Sequence, residues 1–406
     1  AQSCQPSDVF ASETRYDADD GPWSIAIDDL NGDGHNDVAM ANRWSDNVNV
    51  MLNNGDGTLS PASEYPAGNG PTSIVIGDFN DDGASDLATA NLYSDNVSIL
   101  LNNSNGTFGP SSEYTAGDSP VSIAIGDLDQ DSQPDLVTAN YYSHDVSVLI
   151  NQGDGVLASA VNIDVGDSPD GVAIGDLNSD DINDVAVANW GSDTVSVLFN
   201  NGAGLFPSQP QFDVGNAPWA LSISDLNDDG RNDLAVANVG SDSVSVLVND
   251  SKGSFPGYFE VTTGQLPQAI QTGDVTGNGH NDLVVVNNGE DNVSVIANDG
   301  NANFTTDATY SVGFIPRDAA LGDLDGNGSP DLAVANDLSN DISVLMNQCE
   351  VSVGDLNGDG SVDVADLLAL LGEWGPCENP DDCPADLNDD GTINVNDLLT
   401  LLGNWG

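Results

Sequence analysis

The chain has 406 residues, 66 of them Asp or Glu against five Lys or Arg, and a formal net charge of −61. It lacks the clustered basic residues that nucleic-acid phosphates or anionic lipid surfaces demand. Its hydrophobic residues, 39% of the total, fall in short patterned runs unlike those of a disordered chain, and none approaches the roughly 18 apolar residues of a membrane-spanning helix.

The sequence opens at Ala1 without Met or a charged-plus-apolar leader, which reads as a mature product whose signal peptide has been removed. Cys4 and the stretch 9–22 (VFASETRYDADDGP) come next. Strings related to DLNGDGHND then begin at Asp29, Asp78, Asp127, Asp176, Asp225, Asp274 and Asp323, always 49 residues apart. A proline keeps the same register from Pro22 to Pro316, and two asparagine series run from Asn42 to Asn336 and from Asn53 to Asn347. In the second repeat the pattern predicts strands at Ser73–Ile76, Asp86–Asn91, Asn96–Leu101 and, more weakly, Ser112–Thr115, separated by turn-rich strings such as NNSNG at 102–106. Four strands in a period of about 40–50 residues mark a β-propeller blade, whereas parallel β-helix repeats are much shorter. The fold class expected is all-β, a seven-bladed propeller followed by a small α-helical C-terminal domain.

The stretch 9–22 aligns with 58–71, the outer-strand part of the period, and the seventh repeat stops after its third strand at Asn347. The N-terminal strand is therefore expected to complete the last blade. Cys4 and Cys349 fall in the hairpin missing from that blade. Of the three pairings open to Cys4, Cys349, Cys377 and Cys383, the favoured one is Cys4–Cys349 with Cys377–Cys383. Closing so long a loop contributes roughly 5–6 kcal/mol in the chain-entropy model. Disulfides imply an oxidising, extracytoplasmic location.

The acidic string reads D-x-[ND]-x-[DN]-G-x-x-D, with oxygen-bearing side chains at positions 1, 3, 5 and 9 and a backbone carbonyl at 7. Calcium takes about six to eight hard oxygen ligands in a flexible shell. The first loop offers Asp29, Asn31, Asp33 and Asp37 with the carbonyl of His35. The second offers Asp78, Asn80, Asp82 and Asp86 with Ala84, and the third Asp127, Asp129, Asp131 and Asp135 with Gln133. The fourth and fifth offer Asp176, Asn178, Asp180 and Asp184 with Ile182, and Asp225, Asn227, Asp229 and Asp233 with Arg231. The sixth offers Asp274, Thr276, Asn278 and Asp282 with His280, and the seventh Asp323, Asp325, Asn327 and Asp331 with Ser329. Glycine at position 6 permits a positive φ; Ser132 and Asp181 replace it in the third and fourth loops. The sixth loop, with two carboxylates, is expected to bind most weakly. One such loop could be a plain Asx-rich turn, but seven in register argue for metal.

The period breaks after Cys349, and a duplication with spacing 31 begins. DLNGDGSVDVAD (355–366) offers Asp355, Asn357, Asp359, Asp363 and Asp366 with the carbonyl of Ser361. DLNDDGTINVND (386–397) offers Asp386, Asn388, Asp390, Asn394 and Asp397 with that of Thr392. Both are twelve-residue EF-hand-like loops. Apolar helices follow, with Leu367, Leu368, Leu370, Leu371 and Trp374, then Leu398, Leu399, Leu401, Leu402 and Trp405. These pack as a core between the helices or form an exposed docking face. The expected division is 1–349 for the propeller and 350–406 for the tail, held against it by the short link Glu350–Gly354.

The 49-residue array resembles FG-GAP/VCBS-type repeats, as in seven-bladed integrin alpha-subunit propellers and related bacterial surface proteins. The resemblance implies that each loop joins the first two strands of a blade and holds calcium. The Phe-Gly signature is poorly kept; GDF at Gly77–Phe79 is nearest. Residues 354–406 resemble a type I dockerin, which implies attachment to a cohesin module. Late in each loop, where Ser or Thr is usual, stand Val364–Ala365 and Val395–Asn396, and no basic residue follows Arg317.

Nothing in the chain suggests catalysis. The histidines are His35, His144 and His280, no catalytic or nucleotide motif appears, and equal blade lengths leave no insertion to build an asymmetric site. The chain therefore reads as a non-enzymatic, secreted, calcium-binding scaffold or adhesion protein with up to nine Ca²⁺. Its partner would be another copy of itself, giving a head-to-tail filament, or a cohesin-like module. The alternative is a carbohydrate-binding propeller that takes glycans between blades through Trp44, Tyr93, Tyr141, Tyr142 and Trp190.

Overall fold

A computed structural model describes residues 4–250, 253–349, 364–372, 374–376, 385, 387 and 392–403. Residues 14–345 form seven four-stranded antiparallel sheets. Blade 1 comprises Pro22–Asp28, Asp37–Asn42, Asn47–Met51 and Ser63–Pro66, and the others repeat it every 49 residues. In blade 2 the expected second and fourth strands lie at Asp86–Asn91 and Ser112–Thr115 as read from sequence; the first lengthens to Pro71–Gly77 and the third stops at Leu100.

Blade 7 is completed by the N-terminus. Its sheet order places Thr14–Asp17 outside Asp341–Leu345, with Thr14 opposite Val344 and Asp17 opposite Asp341. Phe10 bridges to Asn347, and a Cys4–Cys349 disulfide links residues 345 apart in sequence. The predicted closure is thus present. The other expected pair, Cys377 and Cys383, lies outside the described residues.

The second strand of every blade is buried along its whole length. Its alternate side chains face the two neighbouring blades, since successive strand residues point to opposite faces. The core is therefore divided into seven clusters, one between each pair of adjacent blades. Between blades 7 and 1, for instance, Val38 and Met40 meet Ala333, Ala335 and Val344. Small and β-branched residues suit this close stacking of sheets.

Each first strand carries a β-bulge just after its proline: Pro22 pairs with Asn42 and Ser24 with Ala41, which leaves Trp23 outside the ladder. The same shift occurs in the other six blades. A bulge bends the strand and re-aims one side chain.

In the C-terminal region, α1 (Val364–Gly372) and α2 (Val395–Gly403) accompany a short pairing of Gly375–Pro376 with Thr392–Ile393. Leu370, Ala385, Ile393 and Leu401 form a small core, with Leu367, Leu387 and Leu398 against it. The leucines divide between the two roles open to them, because Leu368, Leu371, Leu399 and Leu402 are exposed. Asp355, Asn357, Asp359, Ser361, Asp363, Asp386, Asn388, Asp390 and Trp405 lie outside the described residues, as does the side chain of Asp366.

Candidate functional site

The acidic loops join the first and second strands of each blade. Position 1 organises the turn. Asp29 Oδ1 accepts N–H bonds from Asn31, Gly32 and Asp33, and Oδ2 accepts one from Gly34. Partial burial pushes its pKa up, but the amides of Gly34, Gly32, Asn31 and Asp33 outweigh this and hold it below the ordinary value. Position 6 has positive φ throughout, at 86° for Gly34 but also 69° for Ser132 and 62° for Asp181. Position 4 is left-handed as well, from Gly32 to Gln130 and Gly326, which no sequence signal disclosed.

Position 9 is fully buried in all seven loops. Asp37 Oδ2 accepts the N–H of Leu30 at 3.0 Å, and Oδ1 that of Asn53 at 2.7 Å. Its equivalents do the same. Burial raises the pKa of each to about 6, partly offset by these N–H bonds, with the loop's other carboxylates adding to the rise. An ionised carboxylate accepts about four hydrogen bonds, so each oxygen retains capacity for a cation.

The donor sets suit a hard cation. Asp127, Asp129 and Asp135 bring carboxylate oxygens within 4.8 Å of one another, as do Asp323, Asp325 and Asp331. These are the two loops with Asp at position 3; the others place Asn or Thr there. Asp129 Oδ1 and Gln133 Oε1 are buried without a hydrogen-bond partner. Burial first, then the charges of Asp131 and Asp127, push Asp129 above its ordinary pKa. Calcium at these loops would neutralise the clustered charge. The sixth loop differs: Thr276 is buried, and both its N–H and its hydroxyl donate to Asp282 Oδ2. That carboxylate oxygen also accepts the N–H of Val275. In the tail, Asp397 is fully buried with Oδ1 unpartnered among the described residues, while Oδ2 accepts the N–H of Asn394.

The second asparagine series laces the loops together. Asn200 Nδ2 donates to the carbonyl of Leu128 in the preceding blade's loop at 2.7 Å, and to that of Asn183 in its own loop at 2.9 Å. Asn53, Asn102, Asn249, Asn298 and Asn347 repeat both contacts, and Asn151 repeats the one across blades.

A second feature occupies the propeller axis. The first strands of all seven blades surround a cavity of about 700 Å³. The bulged residues Trp23, Thr72, Val121, Asp170, Trp219, Gln268 and Arg317 all line it. So do Arg43, Tyr93, Tyr141, Tyr142 and Trp190. The aromatic candidates pair across adjacent blades at two places, Trp44 with Tyr93 and Tyr141 with Trp190 at 6.2 Å. Four of them line the same mouth, and Trp44 stands beside Tyr93 with centroids 6.3 Å apart. Arg43 lies over Trp23 at 4.1 Å and Trp44 at 4.7 Å, and its Nη2 donates to the Tyr93 hydroxyl at 2.8 Å. Arg317 stacks on the same Trp23 at 3.9 Å and pairs with Asp337 at 2.7 Å. Asp170 is buried, and desolvation raises its pKa to about 8.

A family model described as an FG-GAP-like repeat matches residues 29–89, 78–138, 127–187, 176–236, 225–285 and 274–334. No curated protein matches the chain. Among solved structures, BBS1N in complex with ARL6DN is similar over 84% of this chain and 97% of its own, with a TM-score of 0.60 and 15% identity. A putative 6-phosphogluconolactonase from Bacteroides uniformis matches over 84% and 96%, with a TM-score of 0.56 and 16% identity. A lectin from Agrocybe aegerita that recognises non-reducing terminal N-acetylglucosamine matches over 74% and 80%, at 0.48 and 21%. At these identities the likeness shows the propeller fold alone.

Proposed function

The chain belongs to the FG-GAP-like repeat family, and from that premise we propose that it is a secreted, non-enzymatic scaffold whose calcium-laced propeller mediates protein–protein assembly. Residues 1–349 form the rigid body. Residues 350–406 form a dockerin-like module that holds two further ions, for nine in all, through Asp355, Asn357, Asp359, Ser361, Asp363 and Asp366 and through Asp386, Asn388, Asp390, Thr392, Asn394 and Asp397. The Cys4–Cys349 disulfide supports an extracellular setting.

One observation carries the assembly reading. The helices of the tail expose a repeated apolar pair: Leu368 at 66% and Leu371 at 48%, then Leu399 at 62% and Leu402 at 47%. Two such pairs on so small a module form a contact surface. The partner is another copy of the chain or a cohesin-like module. A tail-to-propeller contact between copies is heterologous and propagates as a filament. Electron microscopy of the purified chain at high concentration tests the self-assembly arm. Filaments in calcium, lost with EDTA and in Leu368→Asp/Leu399→Asp, support it, and monodisperse monomers rule it out.

The aromatic mouth favours a second reading, a carbohydrate-binding propeller carried into an assembly by the tail. Glycan-array binding by the full chain tests it.

A further inference from the structure

The repeat holds its framework constant around an axial ring that varies. Proline precedes the bulge in all seven blades, yet the bulged residue is of six kinds among seven copies. A packing role would favour one residue type, as at the preceding proline. A bulge directs its side chain out of the ladder, so this varied ring faces the axial cavity.

Those groups have a specific chemistry. Trp219 and Trp190 offer flat apolar faces around the cavity, whereas Trp23 is stacked against Arg43 and Arg317. Gln268 and Thr72 supply neutral hydrogen-bonding groups. Asp170 adds a carboxyl group with no hydrogen-bond partner among the described residues, and burial keeps it protonated at neutral pH. Arg43 is the unusual member. Arg15, Arg231 and Arg317 each lie within 3.0 Å of a carboxylate. Arg43 has no carboxylate partner among the described residues, and its Nε is buried without any partner. In a chain with 66 acidic residues, this guanidinium is held by aromatic rings and left to receive an anion from outside.

We infer that the axial mouth binds a carboxylate-bearing saccharide, with its sugar rings stacked on the tryptophans and its carboxylate on Arg43. A pyranose presents a C–H face that packs on an indole, and its edge hydroxyls need polar partners. A cavity of about 700 Å³ is of small-ligand size. The inference rests on the carbohydrate reading and adds the ligand class to it.

The test titrates the full chain, in calcium, with trigalacturonic acid and with neutral galactotriose, by calorimetry and tryptophan fluorescence. Expected is saturable binding of the acid, about tenfold or more tighter than of the neutral sugar. Arg43→Gln should abolish that preference, Arg43→Lys should restore part of it, and Trp219→Ala should weaken both ligands. Thermal melting checks that each variant is folded; should Arg43→Gln fail this, the wild-type comparison and Trp219→Ala decide. Equal affinity for the two sugars, or a preference that survives Arg43→Gln, overturns the inference and leaves the carbohydrate reading standing. Binding of neither sugar overturns both.

Discussion

Replacing Asn200 with alanine probes how the loops are coupled. Its side-chain amide donates to the carbonyls of Leu128 and Asn183, one in the third loop and one in the fourth. Truncation leaves the Asn183 carbonyl without its side-chain donor at a site where Asn200 is 5% exposed, while the Leu128 carbonyl keeps the N–H of Gly204 at 3.0 Å. An unsatisfied buried group costs about 1–3 kcal/mol, so the expected loss is about 1–3 kcal/mol. Asn201 is the control: it is exposed, and its Oδ1 only accepts the N–H of Ala203. Asn201→Ala should cost no more than about 0.5 kcal/mol. Urea unfolding of both variants, with and without calcium, measures the difference at constant m. Calcium affinity of the third and fourth loops should fall together in Asn200→Ala. A cost no larger than that of Asn201→Ala, or loss at one loop alone, would refute the lacing.

Three further outcomes are expected. Cys4→Ser/Cys349→Ser should lower stability by up to roughly 5–6 kcal/mol and open Thr14–Asp17 to proteolysis; an unchanged urea midpoint would show that strand pairing alone closes the ring. Asp170 has a folded pKa of about 8 against an unfolded 3.8. Its stabilising effect is therefore complete below about pH 4 and is lost as pH rises to 8, at up to about 1.4 kcal/mol per unit; Asp170→Asn should flatten this slope, and parallel pH profiles of the two proteins would contradict it. Ser132 sits at φ 69°, so Ser132→Gly should gain about 0.5–1 kcal/mol, the relief of left-handed strain less the added chain entropy of glycine; a lowered melting temperature would count against that.

The blades were legible because one period repeats without insertion, so that strands, acidic loops and ring closure recur in register. The acidic loops were legible as far as alternation of oxygen side chains reaches. The left-handed position 4 was not, because Asp81, Gln130 and Ser179 share it with glycines and composition gives no cue. The Asn53 series was visible as a pattern, but its acceptor lies in the neighbouring blade, 72 residues away for Asn200. The axial ring escaped notice because the copies disagree there, and a search for repeats discards disagreement. The tail leucines were ambiguous because Leu367, Leu368, Leu370 and Leu371 cover nearly half the circumference of a short helix, so periodicity cannot say which of them face the core.

Calcium binding itself is the central claim, and equilibrium dialysis of the full chain measures it directly. Expected are eight ions per chain in a first, tighter class, six in the propeller and two in the tail, with the sixth loop filling only at higher calcium. Thr276→Asp should move that loop into the tighter class. A chain that binds no calcium, or that fills all seven blade loops with equal affinity, would contradict the reading of the loops.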